Sequence, residues 1–446
     1  MDENTNLSSA KRHFWLVLVI FSLTGQIAWV VENMYFNVFI YKMFQASASQ
    51  ISLMVQASAV TAAVTTIVMG AFSDRIGKRK ILMCAGYIAW GLSILGFALI
   101  RKDMIISFLG TAAAGAASMG ISLVILMDCV MTFFGSTAND AAFNAWLTDS
   151  TTEHNRGAAE GINSMMPLIA ILVVFGGFMG FDLDKPESWT TIYLIIGIAV
   201  LAIGVLGFVI VRENAIPKND KDSYLDTILY GFRPIIVRQN PALYLAMLLY
   251  MIFGISIQIF MPFLIIYYEK SLGMADYVLI MAPAIILAAV VTAFYGRLGD
   301  RIGFSGSIMP ALGMLMAGYI LLYLFPHVIP VSGMAMRIPV FIGSLFMMSG
   351  YLCGMAVFGV KLRNETPENM AGRFQGLRII AQVLIPGVIG PFIGAAVLKG
   401  AQMIMNSDGT TSFLPNANIF LASGVVLAVL MLLTGISLRR VREYMR

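Results

Sequence analysis

Long apolar runs nearly free of charge recur down the whole chain, each near the roughly 20 residues that cross a bilayer as a helix. No other feature of the sequence restricts the fold as strongly. With 59% hydrophobic and only 12% charged residues, the chain has roughly half the charged share of a soluble domain. A mean hydropathy of +0.83 is too high for a water-facing surface. The 41 glycines fit close helix packing in lipid. An all-α integral membrane protein in contact with the bilayer follows.

Twelve helices are predicted, at about 14–40, 51–73, 81–100, 119–147, 158–180, 190–211, 241–268, 276–298, 307–326, 338–362, 373–398 and 416–438. An even count puts both termini on one side. With the N-terminus inside, inner segments carry roughly 21 Lys and Arg and outer loops roughly 7. The inner set includes Lys11, Arg12, Arg156, Arg373 and Arg439; the outer set includes Lys42, Arg101, Lys185 and Lys270. Both termini are therefore expected in the cytoplasm of a multi-pass plasma-membrane protein. The net charge of +5 reads as topology signal, and no nucleic-acid partner is expected.

Residues 104–147 would make a single helix of about 66 Å, twice a bilayer. Two spans there would invert everything downstream and spoil the charge bias. One spanning helix from about residue 119 is expected, preceded by an outer loop, a re-entrant segment or a helical extension. The polar stretch 213–240 is the one of linker length, with Pro217, Pro234 and mixed charges. It separates an N-terminal six-helix bundle, 1–212, from a C-terminal one, 241–446.

The two halves repeat. After helix 2 the chain reads Gly70-x-x-x-Asp74-Arg75-Ile76-Gly77-Lys78-Arg79, and after helix 8 Gly296-x-x-x-Asp300-Arg301-Ile302-Gly303, 226 positions later. A second pair follows helices 4 and 10. Thr151, Glu153, Gly157 and Gly161 match Thr366, Glu368, Gly372 and Gly376 at a shift of 215. The difference of 11 lies in the first half, where the overlong segment sits. Parallel six-helix repeats occur in one class of secondary carriers.

The doubled G-x-x-x-D-R-x-G motif resembles the signature of the major facilitator superfamily. Length, helix count, central loop and repeat extend the resemblance over the whole chain. It implies two pseudo-symmetric six-helix bundles working by alternating access. It also implies a gating role for Gly70, Asp74, Arg75, Gly77 and Arg79, and for Gly296, Asp300, Arg301 and Gly303. Asp74 would meet the start of helix 11 near Gly372, and Asp300 the start of helix 5 near Gly157, where a helix N-terminus favours a carboxylate.

Trp29-Val-Val-Glu32-Asn33-Met34-Tyr35 and Asn139-Asp140 further resemble the glycoside–pentoside–hexuronide:cation symporter branch. In the melibiose carrier of that branch, acids on helix 2 form the sodium site. Here helix 2 has no acid before Asp74, so a proton is expected as coupling cation before sodium.

Ionisable groups inside a membrane mark function by default. Glu32, Asp128, Asp140 and Arg378 are such groups. Glu32 and Asp128 each lie roughly 8 Å outward of the midplane. The resemblance places helices 1 and 4 on the central cavity, where two desolvated like charges would let one acid cycle a proton. Gln26, Trp29, Asn33 and Asn37 share a face of helix 1, and Asp128, Asp140 and Asn144 recur at four-residue multiples down helix 4. With Asn139, and with Trp29 and Tyr35 for stacking, they suit a sugar. Gln258 and Gln382 are the second-half candidates, and Arg378 could hold an anionic group. For each of these, hydrogen bonding between packed helices is the structural alternative.

Three cysteines and three histidines lack metal-ligand spacing, so no metal, disulfide or cofactor is expected. The apolar run from Phe14 is too long for a signal peptide. There is no P-loop and no G-x-S-x-G elbow, hence no ATPase or enzyme signature. A monomeric secondary transporter of a small polar solute, such as a sugar or glycoside, is expected. The alternatives are a proton-coupled exporter of amphipathic drugs and a non-transporting membrane receptor or scaffold.

Overall fold

The computed structural model describes residues 2–110, 113–151, 153–212, 230–325, 327–329, 333–367, 371–406 and 409–444. Most of the expected linker, 213–229, lies outside the described residues, as do the side chains of Arg156, Gly157, Asp300, Arg373 and Gln375.

Among the described residues twelve helices are long and apolar enough to cross a membrane. Helices 1 to 6 are His13–Phe44, Ala48–Ile76, Arg79–Phe97, Gly115–Asp149, Ala158–Phe178 and Pro186–Ile210. Helices 7 to 12 are Pro241–Ser271, Val278–Gly299, Arg301–Leu324, Met334–Glu365, Gly376–Val397 and Asn418–Arg439. Local chemistry sets their ends. Pro186 and Pro241 open helices 6 and 7 where no N–H is required. Gln45 ends helix 1 in the left-handed region, φ 53°, its N–H donating to the Ile40 carbonyl.

The chain forms two compact units, Met1–Gln45 with Val60–Ile228 and Ala46–Ala59 with Leu229–Arg446. In the first unit, helix 3 packs on helix 6 and helix 1 on helices 5 and 6. The helix 3–helix 6 approach is close enough that a Cβ on Gly91 would stand 2.5 Å from the Leu201 nitrogen. Trp90, Trp189, Tyr35, Tyr87, Tyr193, Phe21, Phe36 and Phe97 are fully buried there. Lipid is as apolar as these rings, so their contribution is van der Waals packing, not escape from water.

The second unit joins helix 9 to helix 10 and helix 7 to helices 11 and 12. Ser256 on helix 7 donates to the Ser423 carbonyl of helix 12 at 3.0 Å and lies 3.2 Å from the Tyr319 hydroxyl of helix 9. Beneath helix 7, Ile236 of the short helix Pro234–Gln239 packs with Leu243, Ala246 and Phe374.

Two details differ from the sequence expectation or add to it. The overlong segment resolves into a separate helix, Lys102–Leu109, that stops at Gly110 in the left-handed region (φ 61°). A new helix then begins at Ala113, earlier than 119. Between helices 11 and 12, a connection the sequence analysis left undescribed, β1 (Met403–Met405) pairs antiparallel with β2 (Thr411–Phe413). The turn chemistry explains it. Asn406 donates from its backbone to the Thr410 carbonyl at 2.7 Å, and Gly409 takes φ 78° after Asp408.

Candidate functional site

Among the described residues there are four π-helical stretches: Val31–Phe36 in helix 1, Ser136–Phe143 in helix 4, Tyr267–Ser271 at the end of helix 7 and Ile380–Leu384 in helix 11. Such insertions cluster at functional sites because they turn side chains off the helical register and free backbone carbonyls. Glu32 and Asn33 lie in the first stretch, Asn139 and Asp140 in the second, Gln382 in the last, and Arg378 just before it.

In the first unit the structure brings Glu32 together with helix 4. Glu32 is only 6% exposed, and its Oε1 accepts a 2.9 Å hydrogen bond from the Thr132 hydroxyl. Asp128, 2% exposed, sits one turn before Thr132 on the same face. The Cys129 thiol is within electrostatic range of both carboxylates. Two buried acids from two helices thus lie near one thiol, with Thr132 bonded to the first of them. Tyr193 of helix 6 also reaches this group, its hydroxyl being within electrostatic range of Asp128. Sequence reasoning missed Tyr193, because one tyrosine in an apolar helix carries no periodic signal.

The amides of helix 1 have local duties. Asn33, which is exposed, donates from Nδ2 to the Trp29 carbonyl at 2.8 Å, and buried Asn37 to the Asn33 carbonyl at 2.9 Å. These donors occupy carbonyls around the π-helical stretch. Gln26 is half-buried, and Trp29 lies 5.0 Å from Trp90. Tyr35 corrects the stacking expectation. It is fully buried, edge-on to Phe175 and Phe178, and presents no face to a solute.

Asn139 and Asp140 form a separate nest, about 18 Å further along helix 4 than Asp128 by residue count. Asn139 is buried; its Oδ1 accepts from the Tyr87 hydroxyl at 3.0 Å, and its Nδ2 donates to Asp140 Oδ1 at 3.4 Å. Asn144 is exposed and donates to the Asp140 carbonyl at 3.1 Å.

The first signature loop is held by Arg79, which is 6% exposed. Its guanidinium bonds Asp74 Oδ1 at 2.5 Å, Asp149 Oδ2 at 3.0 Å and Ser73 Oγ at 2.7 Å. Asp74 is thus engaged by Arg79 of its own motif. Asp149, at the end of helix 4, is a partner that the motif alone does not reveal. Arg75 is exposed, and Gly70 has open space where a Cβ would stand. In the second copy Gly296, Arg301 and Gly303 are exposed.

In the second unit Gln258 packs against Gly390, while Gln382 is half-buried in its π-helical stretch. Arg378 lies within electrostatic range of Tyr250, whose ring stacks on Phe358 at 5.4 Å. Glu269, paired with Lys270 at 3.3 Å, lies in a π-helical stretch that the sequence did not disclose. No group of three His, Cys, Asp or Glu able to hold a metal occurs among the described residues.

Two further ion pairs involve acids outside the spans. Arg337 binds Asp276 through two bonds, 2.7 and 2.9 Å, and holds its carboxyl below the usual carboxylate range. Arg101 does the same for Asp103 at 3.0 Å. A cavity of about 320 Å³ lies beside Arg101, floored by Phe39, Phe97 and Trp189.

The family profile described as Major Facilitator Superfamily matches residues 14–391. Among curated proteins the chain is similar to Sugar efflux transporter A of Dickeya chrysanthemi, 25% identical over 220 residues. That match takes in 48% of this chain and 51% of the other, so the chain spans about half the length of the curated relative it matches. Among solved structures it is similar to a D-xylose-proton symporter, with 15% identity, TM-score 0.69, and 94% and 96% of the two chains covered. A bacterial homologue of the human lysosomal transporter Spinster, inward-facing and occupied, gives 16% identity, TM-score 0.68 and coverage of 96% and 97%. The nucleoside transporter NupG gives 12% identity, TM-score 0.64 and coverage of 95% and 98%. At these identities the structural likeness shows the fold alone.

Proposed function

The chain belongs to the Major Facilitator Superfamily, and within it we propose a secondary transporter that couples a small polar solute, a sugar or glycoside, to protons by alternating access. The observation that carries the coupling is the grouping of Glu32, Thr132 and Asp128. Two buried carboxylates, from helices 1 and 4, both lie within electrostatic range of the Cys129 thiol, and Thr132 bonds Glu32. Holding both charged in a membrane costs several kcal/mol, so such a grouping favours taking up a proton. The sugar reading draws support from the name of the curated relative and from the amides near Trp29. It agrees with the narrower symporter branch that Trp29 to Tyr35 and Asn139-Asp140 resemble.

Gln26, Trp29, Asn33, Asn139, Asp140 and Asn144 are the residues we assign to the solute in the first unit, with Gln258, Arg378 and Gln382 in the second. The gate is assigned to Asp74, Arg75 and Arg79 with the glycines of both motif copies, and to Asp300 and Arg301. The excess of Lys and Arg in inner segments supports a plasma-membrane protein with both termini cytoplasmic. The relative's name includes efflux, which gives export of a sugar a specific basis as the second reading.

The test is flux in proteoliposomes carrying the purified chain. Sugars, glycosides and cationic dyes are screened under imposed proton or sodium gradients. Proton-driven sugar flux supports the reading, and its sign fixes the direction. Dye flux without sugar flux replaces it with a drug exporter. No flux from folded protein replaces it with a non-transporting role.

A further inference from the structure

Tyr193 sits in a cage of rings, with centroids at 5.6 Å to Phe36, 5.2 Å to Phe39, 5.5 Å to Phe97 and 6.0 Å to Trp189. The side chain is wholly buried, and its hydroxyl has no hydrogen-bond partner among the described residues. Burying a phenol hydroxyl without a partner costs on the order of 1–3 kcal/mol. A phenylalanine would fill the same cage without that cost, so the oxygen must serve another state of the molecule. The charged group within its electrostatic range is Asp128. Among the described residues the titratable groups within electrostatic range of Asp128 are Cys129 from its own helix and Tyr193 from helix 6, and Glu32 from helix 1 is within range of the same Cys129. Tyr193 is the hydroxyl donor among them.

We propose that Tyr193 is a positioning residue for the Glu32–Asp128 pair, its hydroxyl donating to Asp128 when the pair has lost its proton and releasing it when the proton returns. The phenol keeps its own proton throughout. The proton gained or lost belongs to the carboxylates and exchanges with water. The role rests on the proton-coupling reading above and deepens it, because it says what stabilises the ionised pair in a dry interior. A hydrogen bond to a charged acceptor is worth more than one to a neutral acceptor, so the tyrosine sets the pH at which the pair empties.

The experiment needs no solute and no flux. The carboxyl stretch of the purified full chain is followed by infrared difference spectroscopy across a pH titration. The band is assigned with Glu32→Gln and Asp128→Asn. Tyr193→Phe should move the titration midpoint to higher pH by roughly 1 unit or more, while Tyr268→Phe, in the second unit, leaves it in place. A midpoint unmoved or lowered by Tyr193→Phe overturns the proposal while proton coupling stands. A wild-type pair that does not titrate at all overturns both. If Tyr193→Phe does not fold, wild type carrying ring-labelled tyrosine decides. A phenol band that shifts with the carboxyl titration supports the donor role, and one that stays fixed overturns it.

Discussion

Gly77 and Gly303 stand 226 positions apart and share a positive φ, 66° and 67°. Each is the last residue of its D-R-I-G motif. At Gly77 the N–H closes the turn onto the Ser73 carbonyl at 3.0 Å. At Gly303 the backbone kinks near the start of helix 9, with ψ −179°. A Cβ at such a φ clashes with the backbone at a cost of roughly 1–3 kcal/mol. Gly77→Ala and Gly303→Ala should each destabilise by about that amount. Open space around Gly303 rules out a packing cause. Thermal unfolding in detergent checks both, with Gly359→Ala, a helical glycine in open space, as the contrasting control expected to be unchanged or slightly stabilised.

Arg79 ties the loop after helix 2 to the end of helix 4 through Asp74 and Asp149. Its guanidinium is buried, but the Asp74 side chain is 60% exposed. Arg79→Gln should therefore cost about 2 kcal/mol, less than the figure for a fully buried pair, and lower flux severely. Asp74→Asn should cost under about 1 kcal/mol. Arg79→Lys should not rescue, because an ammonium cannot reproduce a fork that engages three oxygens. Unfolding and flux measured on the three variants give the comparison.

Asp276 has its carboxyl pKa lowered by the two bonds from Arg337. A depressed carboxylate contributes stability that is fully present above its unfolded pKa and is lost as pH falls through the folded one. Because both side chains are more than a third exposed, the contribution should stay below about 1 kcal/mol. Unfolding temperature should dip in acid below pH 4 or so, and Asp276→Asn should flatten that part of the curve. A dip unchanged in the variant would assign it to other carboxylates.

Thr132→Val keeps the shape of helix 4 and removes the donor to Glu32 Oε1. The carboxylate then loses a bond worth about 1–3 kcal/mol. The pair should hold its proton to higher pH, and proton-driven flux at neutral pH should fall roughly tenfold. Thr132→Ser, which keeps the hydroxyl, should restore it. Flux and its pH optimum are the readouts.

The twelve helices were legible because each apolar run matches the length of a span, and Glu32 and Asp128 because acids stand out against such runs. The motif glycines were legible through repetition, which exposed the common position of Gly77 and Gly303. Tertiary features were not legible. The π-helical stretches around Glu32, Asp140, Glu269 and Gln382 arise from packing, and no residue type announces them. Tyr35 shares its sequence neighbourhood with Trp29 but turns into the core against Phe178. Tyr193 and Asp149 matter through partners far away in sequence. The β1–β2 hairpin carried a signal in Asp408-Gly409, which the surrounding polar loop obscured.

The central claim is that Glu32 and Asp128 hold the coupling proton. It is tested most directly by proton-gradient-driven solute accumulation in proteoliposomes, compared with exchange of the same solute at equal concentration on both sides. Glu32→Gln and Asp128→Asn should each abolish accumulation while exchange continues, because a neutral residue still permits the conformational cycle but carries no proton across. Accumulation that survives in both variants at the wild-type level would contradict the claim.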